Sequence, residues 1–180
     1  MRSTILFLCP HNAAKSVLAA AYCHHLARQR GLDVQITSAG TEPDAAVSPS
    51  IVALLRAEGL DVAHHTPRRV TQEELGAASR VISLGCDVRH LAPPGTRVEH
   101  WDDVPAPSHQ LARAREIISA HVERLVEELT QEARKLAPDM AGHRLGGVAR
   151  PLREPCSEAI GDGCPVESTG LWADHGGRND

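Results

Sequence analysis

The sequence predicts an α/β domain: a central parallel four-stranded sheet with helices on both faces, followed by an irregular C-terminal tail. Three observations predict it. Short apolar runs of strand character alternate with longer stretches whose apolar residues recur at helical spacing. Gly, Pro or Asn punctuates the passage from one to the next. From Pro138 onward both periodicities vanish among frequent Gly and Pro.

Residues 4–8 (TILFL) read as a buried strand, closed by Pro10 and Asn12. The period then changes. Val17, Leu18, Ala21, Tyr22, His25 and Leu26 share one face of a helix spanning about residues 13–30 and stopping at Gly31. Residues 34–38 (VQITS) alternate as a second strand. Ser48 is expected to cap the next helix, with Pro49 at its first position and Ile51, Val52, Leu54 and Leu55 on its apolar side, until Gly59. Thr71 with Glu73 and Glu74 opens a short helix, and residues 80–84 (RVISL) and 97–101 (RVEHW) supply the third and fourth strands. A long amphipathic helix over residues 109–135 carries Ala112, Ile117, Ile118, Val122, Leu125, Val126 and Leu129 on one stripe.

With 180 residues the chain has room for one domain, placed at residues 1–137, plus a Gly/Pro-rich tail over 138–180 that is expected to be flexible. A formal net charge of −4 provides no basic field, so neither nucleic acid nor a membrane surface is an expected partner. The apolar runs are too short to cross a bilayer and no basic-then-apolar leader is evident, so a cytoplasmic protein is expected. Five cysteines, an odd number scattered along the chain, suggest free or redox-active thiols rather than a disulfide framework. Eleven histidines form no CxxC or HxxxH grouping, and the pairs His24-His25 and His64-His65 read as pointing different ways; no metal is expected.

The chemistry concentrates in residues 7–16, FLCPHNAAKS. Ligands of parallel sheets collect outside the carboxyl ends of the strands, and Cys9 falls there, between the first strand and the first helix. A loop running straight into a helix N-terminus aims unpaired N–H groups and the positive end of the helix dipole at one point, an arrangement suited to an oxyanion. A cysteine at its rim is favoured as thiolate and faces the anion, which makes Cys9 the candidate nucleophile. Pro10, His11, Asn12, Ala13 and Ala14 would cradle the ligand, the two alanines being small enough for the backbone to wrap closely. Lys15 adds a cation in the first helical turn, where the dipole opposes it unless an anion is near. Ser16 has a hydroxyl to offer the sulfur, Asn12 an amide to brace the loop, and His11 a further donor for anion or thiolate.

CPHNAAKS resembles the Cys-x5-Arg-Ser loop of the low-molecular-weight protein tyrosine phosphatase superfamily. HNAAKS followed by VLAAAY is similar to the arsenate reductase branch that uses small thiols such as mycothiol. The similarity continues in order through SAGTEP (38–43), LRAEGLDV (55–62), TPRRVTQEEL (66–75), RVISLGCDV (80–88) and WDDVPAP (101–107). The resemblance implies that Cys9 attacks arsenate or phosphate while loop amides and an arginine hold the equatorial oxygens, and that an aspartate of a DP motif protonates the leaving group. It also implies a small oxyanion or a phosphotyrosine protein as substrate and no bound cofactor. A mycothiol-like thiol or a thiol–disulfide protein (a redoxin) would be the electron donor. Cys86 matches the cysteine of a GCGD segment in that branch, and with Cys156 and Cys164 of the tail it is a redox candidate.

Two departures qualify these expectations. The loop arginine is Lys15, a point charge that spans two oxygens less well than a planar guanidinium. Ala106 stands where the aspartate belongs, leaving Asp103, or its neighbour Asp102, as the candidate acid if the loop is displaced. The alternative to an enzyme is a weakened phosphatase-like module that binds an anion or phosphoprotein, or senses redox state.

Overall fold

The computed structural model describes residues 3–136; the tail over 138–180, with Cys156 and Cys164, lies outside the described residues. The elements are β1 (Ser3–Cys9), α1 (Lys15–Gln29), β2 (Val34–Gly40), α2 (Pro49–Ala57), α3 (Gln72–Ala77), β3 (Arg80–Ser83), β4 (Val98–His100) and α4 (Pro107–Leu136). All four strands are parallel, in the order β2-β1-β3-β4. The expected four-stranded sheet is therefore present.

β1 is hydrogen-bonded along both edges, to β2 and to β3, and buried on both faces. That environment is why TILFL is continuously apolar rather than alternating. Ile5, Phe7 and Cys9 face the core shared with α1, α2 and α4, where Leu18, Ile51, Leu55, Ile118 and Val122 meet them. Leu6 and Leu8 face the opposite side, against Leu75 of α3, Val81 and Val88. Helices cover both faces, as the pattern predicts.

Polar pins join the layers. Arg80 of β3 is 5 % exposed and reaches Glu128 at 2.7 Å and Glu132 at 2.6 Å on α4. Burial works against its charge, but hydrogen bonding and proximity to the two carboxylates raise its pKa nonetheless. Glu58, just after α2, accepts from Tyr22 of α1 at 2.6 Å and from Arg115 of α4 at 2.6 Å. Trp101 packs tilted on Phe7 with centroids 5.7 Å apart, stacks on His121 at 4.6 Å, and donates its indole N–H to Glu99 at 2.7 Å.

The helix starts differ from expectation in two places. Thr71 and Glu74 form a reciprocal capping box on α3, but Ser48 makes no side-chain cap on α2. Its hydroxyl pairs with that of Ser50, and its N–H is committed to the Ala13 carbonyl at 2.9 Å. α4 opens at Pro107, ahead of the expected start, because a first turn on the Ala106 carbonyl precedes the irregular residue Gln110. Among the described residues no helix is long and apolar enough to cross a membrane.

Candidate active site

Cys9 is the last residue of β1 and is 3 % exposed, so it belongs to the strand rather than to the loop that follows. Its sulfur nevertheless reaches a cavity of about 360 Å³ lined by residues 9–11 and 13–15, by Asp44 and Ser48, and by Ala106, Pro107 and Ser108. The strand fixes the sulfur while the loop forms the walls.

Asn12 holds the loop in shape. It is fully buried with φ 48°, a left-handed conformation that asparagine tolerates better than most residues. Its Nδ2 donates to Ser16 at 2.9 Å and Ser38 at 3.1 Å, and its Oδ1 accepts from the Arg68 N–H at 3.1 Å and His65 Nε2 at 3.3 Å. Both donors and both lone pairs are used. Ser16 Oγ lies 3.0 Å from Cys9 Sγ. Because the Ser16 oxygen already accepts from Asn12, its own hydrogen is free to go to sulfur, and the relay ends on Cys9 as acceptor. His65, the outer partner of Asn12, has its pKa lowered by burial and then by Arg68, which keeps the ring neutral.

The loop carbonyls turn outward onto the segment after β2. Pro10, His11 and Ala13 accept from the N–H groups of Glu42 (2.8 Å), Asp44 (2.9 Å) and Ser48 (2.9 Å). The N–H groups of His11, Asn12, Ala13 and Ala14 donate to no protein acceptor among the described residues, and α1 opens at Ala14 without a side-chain cap. A run of unpaired amides beside a helix N-terminus is the arrangement that holds an oxyanion. Gly40 permits the close fit: a Cβ there would stand 2.6 Å from the Pro10 carbonyl and 3.0 Å from the Asn12 nitrogen.

Lys15 lines the cavity and directs Nζ to the Val104 carbonyl at 3.4 Å. It also lies close over Gly85, where an added Cβ would meet Nζ at 3.0 Å. Its ammonium thereby ties the 104–108 segment to the loop.

Asp103 is elsewhere. Its carboxylate takes the His121 Nε2–H at 2.8 and 2.9 Å, with Arg124 at 2.7 Å from the other ring nitrogen, and it does not line the Cys9 cavity. The displacement of the acid loop that Asp103 needed is absent: the 104–108 segment closes the cavity with the methyl of Ala106. Asp102 lines a different cavity, with Gly85, Cys86, Asp87, Arg89 and His100. The carboxylate that does line the Cys9 cavity is Asp44, which the sequence reading missed; the one signal was its place directly after SAGTEP.

Cys86 follows β3, with its N–H bonded to Ser83 Oγ at 3.3 Å and its sulfur 3.4 Å from that oxygen. Burial pushes its thiol pKa up; the Ser83 hydrogen bond and Lys15 oppose this, while Cys9 is near enough to add to it. Cys23 is a core thiol, pushed by burial to about 12. The histidine pairs do not diverge: His24, His25, His64 and His65 line one groove of about 650 Å³ that does not include Cys9. Among the described residues no three His, Cys, Asp or Glu side chains are placed to hold a metal ion.

A parallel sheet with a thiol at the carboxyl end of an inner strand, beside open amides, defines an enzyme class that works through a cysteine on an oxyanion. Residues 4–139 match the family model of low molecular weight phosphotyrosine protein phosphatase, and the chain belongs to that family. Arsenate reductase 2 of Staphylococcus haemolyticus is 27 % identical over 128 residues, covering 68 % of this chain and 95 % of the relative. The thioredoxin-dependent arsenate reductase of Corynebacterium glutamicum superposes with a TM-score of 0.61 at 25 % identity, over 73 % of this chain and 63 % of that one. The protein tyrosine phosphatase of Entamoeba histolytica superposes with a TM-score of 0.65 at 17 % identity, over 73 % and 99 %, a likeness of fold.

Proposed function

We propose that the protein is an arsenate reductase in which Cys9 attacks the oxyanion while the 10–15 loop holds it. The observation that carries this reading is the donor relay from Asn12 through Ser16 onto Cys9, facing a cavity whose closing segment offers Ala106 in place of an acid. A phosphomonoester needs its departing alkoxide protonated, and the 104–108 segment has no carboxylate to do so. Arsenate loses water or hydroxide and depends less on that help.

In the first step the Cys9 sulfur bonds arsenic as an As–O bond breaks, and the oxygen leaves as water once protonated. In the second, a donor thiol bonds the Cys9 sulfur. The As–S electron pair then stays on arsenic, giving As(III), and two thiols have become one disulfide. The donor is a mycothiol-like thiol or a redoxin, with Cys86 the described thiol nearest in role. Lys15 supplies charge to the bound anion without the bidentate grip of arginine.

The test is arsenite production by the full chain with arsenate and either a thioredoxin system or a low-molecular-weight thiol, beside phosphate release from an aryl phosphate. Arsenite should form and Cys9→Ser should abolish it. Phosphate release alone would select the phosphatase reading, and no turnover in either assay would refute both.

A further inference from the structure

We infer that His11, oriented by Asp44, is the proton donor and acceptor of the Cys9 site, an inference that rests on the reading above. The ionisable side chains lining the cavity are Cys9, His11, Lys15 and Asp44. Cys9 is the nucleophile and Lys15 supplies the fixed charge, which leaves His11 with Asp44 as the pair suited to move a proton.

The contact biases the ring. His11 Nδ1 lies 3.2 Å from Asp44 Oδ1. An ionised carboxylate only accepts, so its proximity favours the hydrogen on Nδ1 and leaves Nε2 as the nitrogen to give or take a proton. Among the described residues Nε2 has no hydrogen-bond partner. The backbone fixes the two residues side by side: the Asp44 N–H donates to the His11 carbonyl at 2.9 Å, and the Glu42 N–H to the Pro10 carbonyl at 2.8 Å. As a stabilising contact the pair counts for little, since the side chains are 61 % and 55 % exposed. What it does is hold the imidazole on the wall of the cavity that Cys9 also lines. The 104–108 segment lines the same cavity and contributes a methyl where an acid would otherwise stand.

The proton accounting closes. As the sulfur–arsenic or sulfur–phosphorus bond forms, the His11 Nε2–H goes to the departing oxygen, which leaves as water or as a phenol. The ring, now neutral at Nε2, then takes the proton of the incoming thiol or water. In the thiol case the donor sulfur bonds Cys9 and arsenic keeps the electron pair; in the water case its oxygen bonds phosphorus as the P–S bond breaks. His11 is then a catalytic residue, and Asp44 a positioning residue that acts through it.

The experiment compares the full-length wild type with His11→Gln, His11→Ala and Asp44→Asn on phenyl phosphate, dinitrophenyl phosphate and arsenate with a thioredoxin system. His11→Gln should lose about 10²- to 10⁴-fold on phenyl phosphate, a smaller but measurable factor of about 10- to 10²-fold on arsenate, and about tenfold or less on dinitrophenyl phosphate, whose leaving group needs no proton. Added imidazole should restore part of the His11→Ala activity, and Asp44→Asn should lower kcat about tenfold with KM unchanged. Inorganic phosphate should still protect Cys9 from alkylation in every variant, showing an intact loop. If wild type reduces arsenate only, an arsenate loss that imidazole repairs supports the inference, and no loss overturns it. Equal losses on both aryl phosphates without imidazole rescue overturn it while leaving the functional reading standing. A wild type inert to every substrate overturns both.

Discussion

Asn12 offers the sharpest test of how the loop is held. Replacing it with alanine removes four hydrogen bonds from a fully buried position and leaves a β-carbon at φ 48°. At about 1 kcal/mol net per hydrogen bond the first effect costs about 4 kcal/mol. The left-handed backbone adds about 1 kcal/mol for alanine. Water entering the space recovers part of this, so Asn12→Ala should lose about 3–5 kcal/mol, a large share of the roughly 5–15 kcal/mol that holds a domain together. Asn12→Gly isolates the strain: it loses the same bonds but escapes the left-handed penalty, and even after its larger loss of backbone entropy it should match the alanine variant or exceed it by up to about 1 kcal/mol. Urea unfolding followed by far-ultraviolet circular dichroism measures both. An alanine variant within about 1 kcal/mol of wild type, or a glycine variant less stable than alanine, would refute the view that this side chain organises the loop.

Three further outcomes follow from other parts of the fold. Gly40→Ala sets a methyl 2.6 Å from the Pro10 carbonyl, so the loop must shift, and turnover should fall by about 10²-fold with Cys9 still present; unchanged kinetics would contradict the close approach. Tyr22 is the single tyrosine, raised from 10.0 to about 12 by burial and then by Glu58, so its phenolate absorbance should titrate near pH 12 in the native protein and near 10 in urea. The folded value lies above the unfolded one, so this stabilisation is complete below pH 10 and disappears as pH climbs toward 12, which alkaline melting curves should show. Glu128→Gln with Glu132→Gln strips both carboxylates from the buried Arg80 guanidinium and should cost about 3 kcal/mol, more than the two single variants combined; additive, sub-kcal losses would show that the guanidinium is solvated.

The elements were readable because their residues repeat a local rule. TILFL is apolar throughout because both faces of β1 are covered, and the α4 stripe lies on the side that packs against α1 and the sheet. Cys9 and Ser16 were legible as a unit because one strand end and one helix start bring them together within eight positions. Asp44 was not, since it meets His11 only after β2 has returned alongside β1 and the chain has turned back over the loop. Asp103 misled for the converse reason. It is close in sequence to the cavity wall at Ala106, but His121 lies one bond away across the surface and draws the carboxylate to α4. Adjacency along the chain fixes little about the direction a side chain takes.

Placing the nucleophile at the end of an inner strand has a consequence for control. β1 is paired on both edges up to Leu8, and Cys9 still pairs with Gly40 of β2 at its end, so the sulfur rides on the sheet rather than on a free loop. Control of this site is then a matter for the segments that wall the cavity, 41–48 and 104–108, rather than for the strand that carries the sulfur. Slow amide exchange at Cys9 beside fast exchange in those segments would display that division of labour.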